Sequence, residues 1–186
     1  NGTMANNGNF QTFIENLPVM FYAITPTPPH TPIYISPTFE AFGYPMSDWL
    51  TDSNIWDRVI HPDDREHVLN GTRAAMKNGE GIDYEYRVVC KDGSIMWVRD
   101  RSCFIKNPDG QPLCWQGVIL DITERRQAEI SLHNTVSLFA STFESTADGI
   151  VVMSLDREIV TCNRKFVEMW QVDQHIIDSK NGMALV

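Results

Sequence analysis

Side chains that could do chemistry are spread along this chain without a catalytic spacing. The five histidines are scattered: His30, His61, His67, His133 and His175. The four cysteines are also far apart: Cys90, Cys103, Cys114 and Cys162. There is no Cys-x-x-Cys pair, no histidine at zinc-ligand spacing beside a cysteine, no phosphate-binding loop and no Gly-x-Ser-x-Gly elbow in the sequence. The sequence therefore predicts a non-catalytic chain with reduced thiols.

The paired carboxylates Asp63 and Asp64 are a metal candidate with a simpler explanation. They follow His61-Pro62, and proline fits the first turn of a helix, where carboxylates face the positive end of the helix dipole. Apolar residues then recur with helical spacing at Val68, Leu69, Thr72, Ala75 and Met76, before Gly79. The pair thus indicates the start of a long helix, and no metal site is predicted.

Charge and hydropathy exclude several partners. The chain has 186 residues and a net charge of −9, and neither half carries a basic face. Nucleic-acid binding depends on Lys and Arg neutralising phosphates, so it is not expected, and acidity also disfavours anionic membrane surfaces. No uncharged run is long enough to cross a bilayer, and the polar start Asn1–Asn9 lacks the apolar core of a signal peptide. We expect a cytoplasmic protein.

The elements that would position any site form an α+β pattern. A short helix is predicted over Phe10–Asn16, and two more begin at Ser36-Pro37 and at Ser47, the latter carrying Trp49 and Leu50. Five strands are predicted at Val19–Thr25, Ile33–Ile35, Ile82–Cys90, Ser94–Lys106 and Gln111–Leu120. Asp-Gly turns join the last three, so we expect a five-stranded antiparallel sheet with short helices.

A further helix follows the last strand. Asp121-Ile122-Thr123-Glu124 reads as a capping box, in which Asp121 bonds forward to the backbone near Glu124 while Glu124 reaches back. Further along, Leu132, Val136, Phe139 and Phe143 step by four, three and four residues, which is the seam of a coiled coil. The alternative, that this stripe packs on its own domain, stays open.

The sequence also contains an internal repeat. Phe13 and Val19–Tyr22 align with Phe143 and Gly149–Val152, so that Met20 matches Ile150. Ser36, Phe39 and Phe42 align with Asn163, Phe166 and Met169. The second copy reads as strand, strand and N-capped helix, and it stops at Val186 before any three-stranded meander. We expect its two strands, near 149–154 and 158–161, to be disordered or packed against another copy.

The ordered motifs resemble those of the PAS family. They are His61–Arg65, Lys91–Gly93 followed by Trp97-Val98, and Asp121–Thr123. The resemblance implies a PAS fold with helices across one face of the sheet, often enclosing a ligand, and tandem modules in sensor histidine kinases, diguanylate cyclases or phosphodiesterases, and transcription regulators. It also implies a signal relay at Asp121, Ile122, Thr123 and Glu124 into a C-terminal signalling helix.

The resemblance sets the expected domains and cofactors. We expect a PAS sensor domain at 10–122, a signalling and linker helix at 123–142, and the N-terminal part of a truncated second PAS domain at 143–186. Some PAS domains bind haem through a histidine of the long helix, but His67 precedes the apolar face, which favours a solvated side chain. The Asn-Cys-Arg-Phe-Leu-Gln signature of flavin-binding members is absent. Neither haem nor flavin is predicted, and an unidentified small molecule stays open.

Two functions compete at this stage. In the first, a small molecule binds an apolar pocket and shifts the helix after Asp121; the candidate lining residues are Phe39, Phe42, Trp56, Val59, Met76, Tyr86, Val98 and Trp115. Plain core packing explains the same residues equally well. In the second, the chain is a ligand-free dimerisation or protein-interaction module that forms a homodimer through Phe10–Asn16 and the Leu132–Phe143 seam.

Overall fold

The chain forms two compact units that meet in sequence between Arg126 and Gln127. The computed structural model describes residues 17–173, 175 and 177, and the predicted helix Phe10–Asn16 lies outside them. The strands of the first unit are β1 (Met20–Ile24), β2 (Pro32–Ile35), β3 (Ile82–Val89), β4 (Ile95–Lys106) and β5 (Pro112–Asp121). Its helices are a 3-10 helix (Pro37–Phe42), α1 (Met46–Thr51), α2 (Ile55–Val59) and α3 (Pro62–Asn78).

In the described part of the first unit, five strands form one antiparallel sheet in the order β2-β1-β5-β4-β3. The last strand pairs with the first, from Met20 opposite Ile119 to Ile24 opposite Trp115. This confirms the predicted α+β fold and the predicted place of the Gln111–Leu120 segment beside Val19–Thr25. The helices cover the face of the sheet that carries Tyr86, Val98 and Ile119, all nearly inaccessible to solvent.

The short helices differ in detail from the prediction. Ser36 precedes the first helix as expected, but its side chain does not cap it: Ser36 Oγ accepts the N–H of Phe21 at 2.8 Å. Ser36 is completely buried where β2 ends beside β1, and its hydroxyl also shares a hydrogen bond of 2.6 Å with the Thr38 hydroxyl, so it bonds to a strand N–H and a side chain instead of a helix N–H. Helix α1 begins at Met46, not at Ser47, and α2 was not predicted because its single turn is too short to show a periodic pattern.

The long helix α3 is joined to the sheet by its first turn. It begins at Pro62, and Gly79 ends it with a positive φ of 73°. The carboxylate of Asp64 accepts hydrogen bonds from Arg87 on β3: from the backbone N–H at 2.9 Å, Nε at 2.9 Å and Nη2 at 2.7 Å. Arg87 holds the pKa of Asp64 below its ordinary value. Asp63 and Asp64 therefore connect α3 to β3 through Arg87. Their position at the helix start did not by itself predict this contact.

The second unit begins within helix α4 (Thr123–Ser145), which starts in the first unit. It continues with the antiparallel strands β6 (Val151–Met153) and β7 (Ile159–Cys162) and helix α5 (Arg164–Trp170). Asn163 caps α5, since its Oδ1 accepts the N–H of Phe166 at 2.8 Å. Strand, strand and N-capped helix thus follow in the predicted order.

Hydrogen bonds at the end of each strand pair define how the two copies correspond. In the second unit, the N–H of Ile150 donates to Asn163 Oδ1 and the N–H of Asn163 donates to the carbonyl of Ile150. In the first unit, Phe21 and Ser36 make the same two contacts. Ile150 therefore corresponds to Phe21, and the sequence alignment of Ile150 with Met20 was wrong by one residue. The strand is too short for its apolar pattern to fix the register.

Large apolar side chains remain exposed on the elements that follow the first unit. On α4, Leu132, Val136 and Phe139 are 67%, 58% and 62% exposed, and the rings of Phe139 and Phe143 stack at 5.7 Å. No helix in the described part of the chain is long and apolar enough to cross a membrane.

Candidate functional site

A cavity of about 490 Å³ lies between the sheet and the helices of the first unit. The sheet contributes Tyr22, Ile24, Asp100, Trp115 and Ile119, and the helices contribute Phe39, Trp49, Ile55, Trp56, Val68, Leu69, Thr72 and Met76. Side chains that also reach solvent complete the lining, among them His30, Asp52, Asn54, Asp57 and Arg73. Its size and its mainly apolar walls are those of a site for a small molecule.

The predicted pocket residues divide into two groups. Four of them line the cavity: Phe39, Trp56, Met76 and Trp115. The other four are buried in the core and do not belong to the lining: Phe42, Val59, Tyr86 and Val98. Apolar periodicity alone cannot separate these groups, because a cavity wall and a solid core use the same side chains.

Asp100 is the polar centre of the cavity, and the sequence analysis missed it. The side chain is 3% exposed. Tyr86 Oη donates to Asp100 Oδ2 at 3.0 Å, and Tyr22 Oη donates to Oδ1 at 3.2 Å. Burial raises the pKa of Asp100 to about 6, and burial together with the nearby Asp100 raises the pKa of both tyrosines well above their ordinary value. The hydroxyls therefore remain donors to a carboxyl group that titrates near neutrality.

A signal for Asp100 is present in the alternation of β4. Val98, Asp100 and Ser102 occupy alternate positions of the strand and are all buried. A single acid within such an inward-facing series is rare in proteins unless it has partners or a function.

Gly117 explains how Tyr22 reaches Asp100. The residue lies opposite Tyr22 on one side and opposite Ser102 on the other. A Cβ atom on Gly117 would lie 2.5 Å from the ring of Tyr22, so only glycine leaves room for that ring to cross β5. The close approach places the Tyr22 hydroxyl beside β4.

The predicted relay residues lie where β5 ends and α4 begins. The N–H of Trp97 on β4 donates to Thr123 Oγ1 at 2.9 Å, and the carbonyl of Trp97 accepts the N–H of Ile122 at 2.9 Å. The predicted capping box is corrected: the helix begins at Thr123, and the Asp121 carboxylate accepts the N–H of Thr123 at 2.8 Å. The physical reason is that buried Ile122 occupies the position before the helix, so Asp121 is too early to cap it.

Ion pairs on the outer face of the sheet surround this helix start. Glu85 on β3 accepts from Arg125 at 2.7 Å and from Arg126 at 2.5 Å. Arg125 is the main reason that the pKa of Glu85 is lowered. The guanidinium of Arg126 lies 5.0 Å from the ring centre of Trp97. The first turn of α4 is therefore attached to both β3 and β4.

A second, shallower hollow adjoins the helix start. This groove, of about 530 Å³, includes Asp121, Thr123 and Glu124 among its lining residues. Most of its side chains are exposed, whereas buried aromatic rings form the walls of the cavity around Asp100. We therefore take the cavity as the candidate ligand site, whereas the groove lies beside the predicted relay residues Asp121, Thr123 and Glu124.

Across residues 17–173, 175 and 177, no cluster of three or more histidine, cysteine, aspartate or glutamate side chains is arranged to hold a metal ion. His67 is exposed on α3, where its ring lies 5.8 Å from that of Tyr84, and it is not part of the cavity lining.

Comparison with known proteins identifies two matching segments. A family model described as PAS fold matches residues 32–119, and one described as PAS domain matches residues 137–185. The methyl sulfide methyltransferase-associated sensor of Methanosarcina acetivorans is 31% identical to this chain, in an alignment that covers 67% of this chain. It spans 14% of that relative, and between 10% and 19% of the four curated relatives it matches.

Solved structures agree with these matches. The N-terminal domain of a diguanylate cyclase with PAS/PAC sensor from Marinobacter aquaeolei is 26% identical, with a TM-score of 0.53 over 58% of this chain and 98% of that one. A sensory box histidine kinase/response regulator from Burkholderia thailandensis is 27% identical, with a TM-score of 0.52 over 70% of this chain and 97% of that one. With two PAS models matching more than half of its residues, and with the strand order and helix cover described above, this chain belongs to the PAS family.

Proposed function

We propose that residues 10–122 are the sensor domain of a signal-transduction protein, in which a small molecule binds the cavity around Asp100 and changes the start of α4. The observation that carries this proposal is that strand β4 contributes both to the cavity and to the hydrogen bonds at the start of α4. Asp100 lines the cavity, and Trp97, three residues earlier on β4, holds Ile122 and Thr123 through its backbone.

The relay follows from the rigidity of the paired strands. β4 and β5 are hydrogen-bonded from Val98 opposite Asp121 to Lys106 opposite Pro112. A ligand that moves Asp100 cannot move it alone, since the strand is held by its neighbours on both sides. Signalling requires that the ligand bind more tightly to one of two arrangements of the helix start.

The polar groups of the cavity support a ligand that is not purely apolar. Trp49 is 3% exposed, and within the described part of the chain its indole Nε1 has no hydrogen-bond partner. Such buried donors usually have one. A bound molecule with an acceptor would supply it.

We also propose the setting of this module. The parent protein is of the sensor histidine kinase or diguanylate cyclase/phosphodiesterase type, which the names of the two solved relatives support. Residues 123–142 act as the linker helix, and residues 143–186 as the N-terminal part of a second PAS domain, which the match at 137–185 supports. The module itself is cytoplasmic and non-catalytic, and the effector lies elsewhere in the parent protein.

A ligand-free dimerisation module is the second candidate. The exposed apolar side chains of α4 favour it, because a solvated stripe of Leu132, Val136 and Phe139 is typical of a helix that pairs with another helix. The two functions are compatible, but only the first needs an occupied cavity.

Native mass spectrometry of the purified 186-residue chain tests the proposal. We expect a non-covalent small molecule on the wild-type protein and its loss in Thr72→Phe, which fills the cavity from α3. Thr51→Phe, on an exposed position of α1, is the matched control and retains the molecule. A wild-type mass equal to that of the bare chain, with dimers that Phe139→Glu dissociates, would instead favour the dimerisation module.

A further inference from the structure

We propose that the ligand of the cavity is a small organic cation, an amine whose ammonium group binds Asp100. The inference rests on the proposed function, since it names the chemical class of the molecule that the cavity senses. Three features of the lining carry it: a buried acid without a counter-cation, a wall of aromatic rings, and the balance of charges around the cavity.

Asp100 is an acid whose protein partners are neutral. It accepts hydrogen bonds from Tyr22 and Tyr86, and no lysine, arginine or histidine of residues 17–173, 175 and 177 forms an ion pair with it. Its pKa of about 6 leaves it mainly ionised at neutral pH. A buried carboxylate without a cation is costly, and a ligand that brings the cation removes that cost.

The carboxylate has capacity for a further donor. Each of its two oxygens carries two lone pairs, and the tyrosine hydroxyls do not use all of them. An ammonium group donates a hydrogen bond and also brings a full positive charge that compensates the buried carboxylate. A neutral alcohol at the same place donates a weaker bond, and a carboxylate ligand donates none and repels Asp100.

The walls beside Asp100 suit a cation with an apolar body. Phe39, Trp49 and Trp56 pack against one another, with ring centres 5.0 Å apart for Phe39 and Trp49 and 5.8 Å apart for Trp49 and Trp56. Trp115 lines the cavity from the sheet. Aromatic faces attract organic cations in desolvated sites by about 2 kcal/mol, and they accept the apolar remainder of such a ligand.

The charges of the lining also favour a cation. Its acids are Asp52, Asp57 and Asp100, and its permanent cation is Arg73; Asp52 is paired at 2.5 Å with Arg58, which lies outside the lining. Arg73 Nη2 lies 3.8 Å from Asp57, so its charge is already directed at an acid of the protein. An anionic ligand would therefore meet more carboxylates than cations on entering, whereas an amine meets an attractive field.

Three probes of nearly equal shape test the inference: 2-phenylethylamine, 2-phenylethanol and phenylacetate. Their binding to the 186-residue chain is measured by titration calorimetry and by tryptophan fluorescence, because three tryptophans line the cavity. We expect the amine to bind at least about tenfold more tightly than the alcohol, and phenylacetate to bind most weakly. Asp100→Asn should abolish the difference between amine and alcohol.

Asp92→Asn is the matched control, since Asp92 lies in the turn between β3 and β4, where its carboxylate accepts from Ser94, and it is not part of the cavity lining. It should leave the preference for the amine unchanged. If Asp100→Asn fails to fold, the amine-to-alcohol ratio of the wild-type chain alone decides. Equal or weaker binding of the amine overturns the inference.

Two outcomes separate this inference from the sensor proposal. If the alcohol or phenylacetate binds best and Thr72→Phe blocks it, the cavity is a ligand site and the cation assignment is wrong. If no probe binds, the cation assignment is also wrong. In that case the sensor proposal stands only if native mass spectrometry shows a bound molecule that Thr72→Phe removes. Without such a molecule the sensor proposal fails as well.

Discussion

Trp97 and Thr123 are joined by a hydrogen bond that continues the sheet into the helix. The β4–β5 ladder has its last pair at Val98 and Asp121, and the next backbone N–H of β4, that of Trp97, donates to the Thr123 hydroxyl at 2.9 Å. Thr123, the first residue of α4, thus accepts the hydrogen bond that a residue of β5 would accept if the ladder continued. Any change in the separation of β4 and β5 at this edge must displace the helix start or break this bond.

Replacement of Thr123 by valine should therefore loosen the junction without changing its shape. We expect the free energy of unfolding of the first unit to fall by about 1 kcal/mol, because the partly buried N–H of Trp97 loses its acceptor. Hydrogen exchange of the Trp97 amide should become faster. Thr135→Val is the control, since the Thr135 hydroxyl bonds only to the carbonyl of Ser131 within the same helix. Equal protection of Trp97 in wild type and Thr123→Val would contradict the role of this bond.

Glu85→Gln tests the ion pairs that attach α4 to β3. The variant weakens the contacts with Arg125 and Arg126, whose side chains are partly exposed, so we expect a loss of less than about 1 kcal/mol in global stability. Exchange of the amides of residues 123–130 should nevertheless increase, since these contacts attach the first turn to β3. High salt should produce the same change in the wild-type protein. Asp83→Asn, which breaks pairs with strand residues only, should leave these amides unchanged.

Gly117→Ala should disrupt the contact of Tyr22 with Asp100. The new methyl group would overlap the Tyr22 ring, and we expect a destabilisation of about 2 kcal/mol by overpacking, measured by urea unfolding. Removal of the ring by Tyr22→Ala should make the same substitution much less costly. A cost of Gly117→Ala that is equal in both backgrounds would show that the ring is not the obstacle.

The sequence predicted elements better than it predicted the site. The order of strands and helices follows from local patterns, such as Pro62 at the start of α3 and the Asp-Gly turns of the meander. Asp100 was missed because its importance depends on Tyr22 and Tyr86, which lie far away along the chain. Asp64 was explained by its own helix because Arg87, its partner, is also distant in sequence. Local patterns do not report contacts of this range.

The stability of the second unit should depend strongly on Asn163. It is completely buried; its Oδ1 accepts from Ile150 and Phe166, and its Nδ2 donates to Phe143, Thr146 and Asp148. Asn163→Ala removes five side-chain hydrogen bonds and leaves the N–H of Ile150 without its acceptor, so we expect the free energy of unfolding to fall by at least about 3 kcal/mol and amide protection to be lost over residues 150–166. Asn134→Ala, at an exposed position of α4, should have little effect. Retained protection in Asn163→Ala would show that the strand pair forms without this network.

The stability of the first unit should depend on pH through Asp100. Burial raises the pKa of Asp100 from its ordinary value of 3.8 to about 6, so between these values the folded protein holds a proton that the unfolded chain releases. The contribution of Asp100 to stability therefore falls as the pH rises from about 4 to about 6 and is constant above that range, and the total fall amounts to about 3 kcal/mol. An amine in the cavity should reverse this trend by pairing with the ionised form.

Comparison with Asp100→Asn isolates the contribution, since asparagine keeps the volume of the side chain and does not titrate. Asp64, Asp83 and Glu85, whose pKa values are lowered by arginines, stabilise the fold above about pH 4 and lose that effect in acid, but they are common to both proteins. Urea unfolding at pH 4 and pH 7.5 should show the wild type losing about 2 kcal/mol relative to Asp100→Asn. A difference between the two proteins that does not change with pH would mean that Asp100 titrates alike in the folded and unfolded chains, and that burial does not hold its proton.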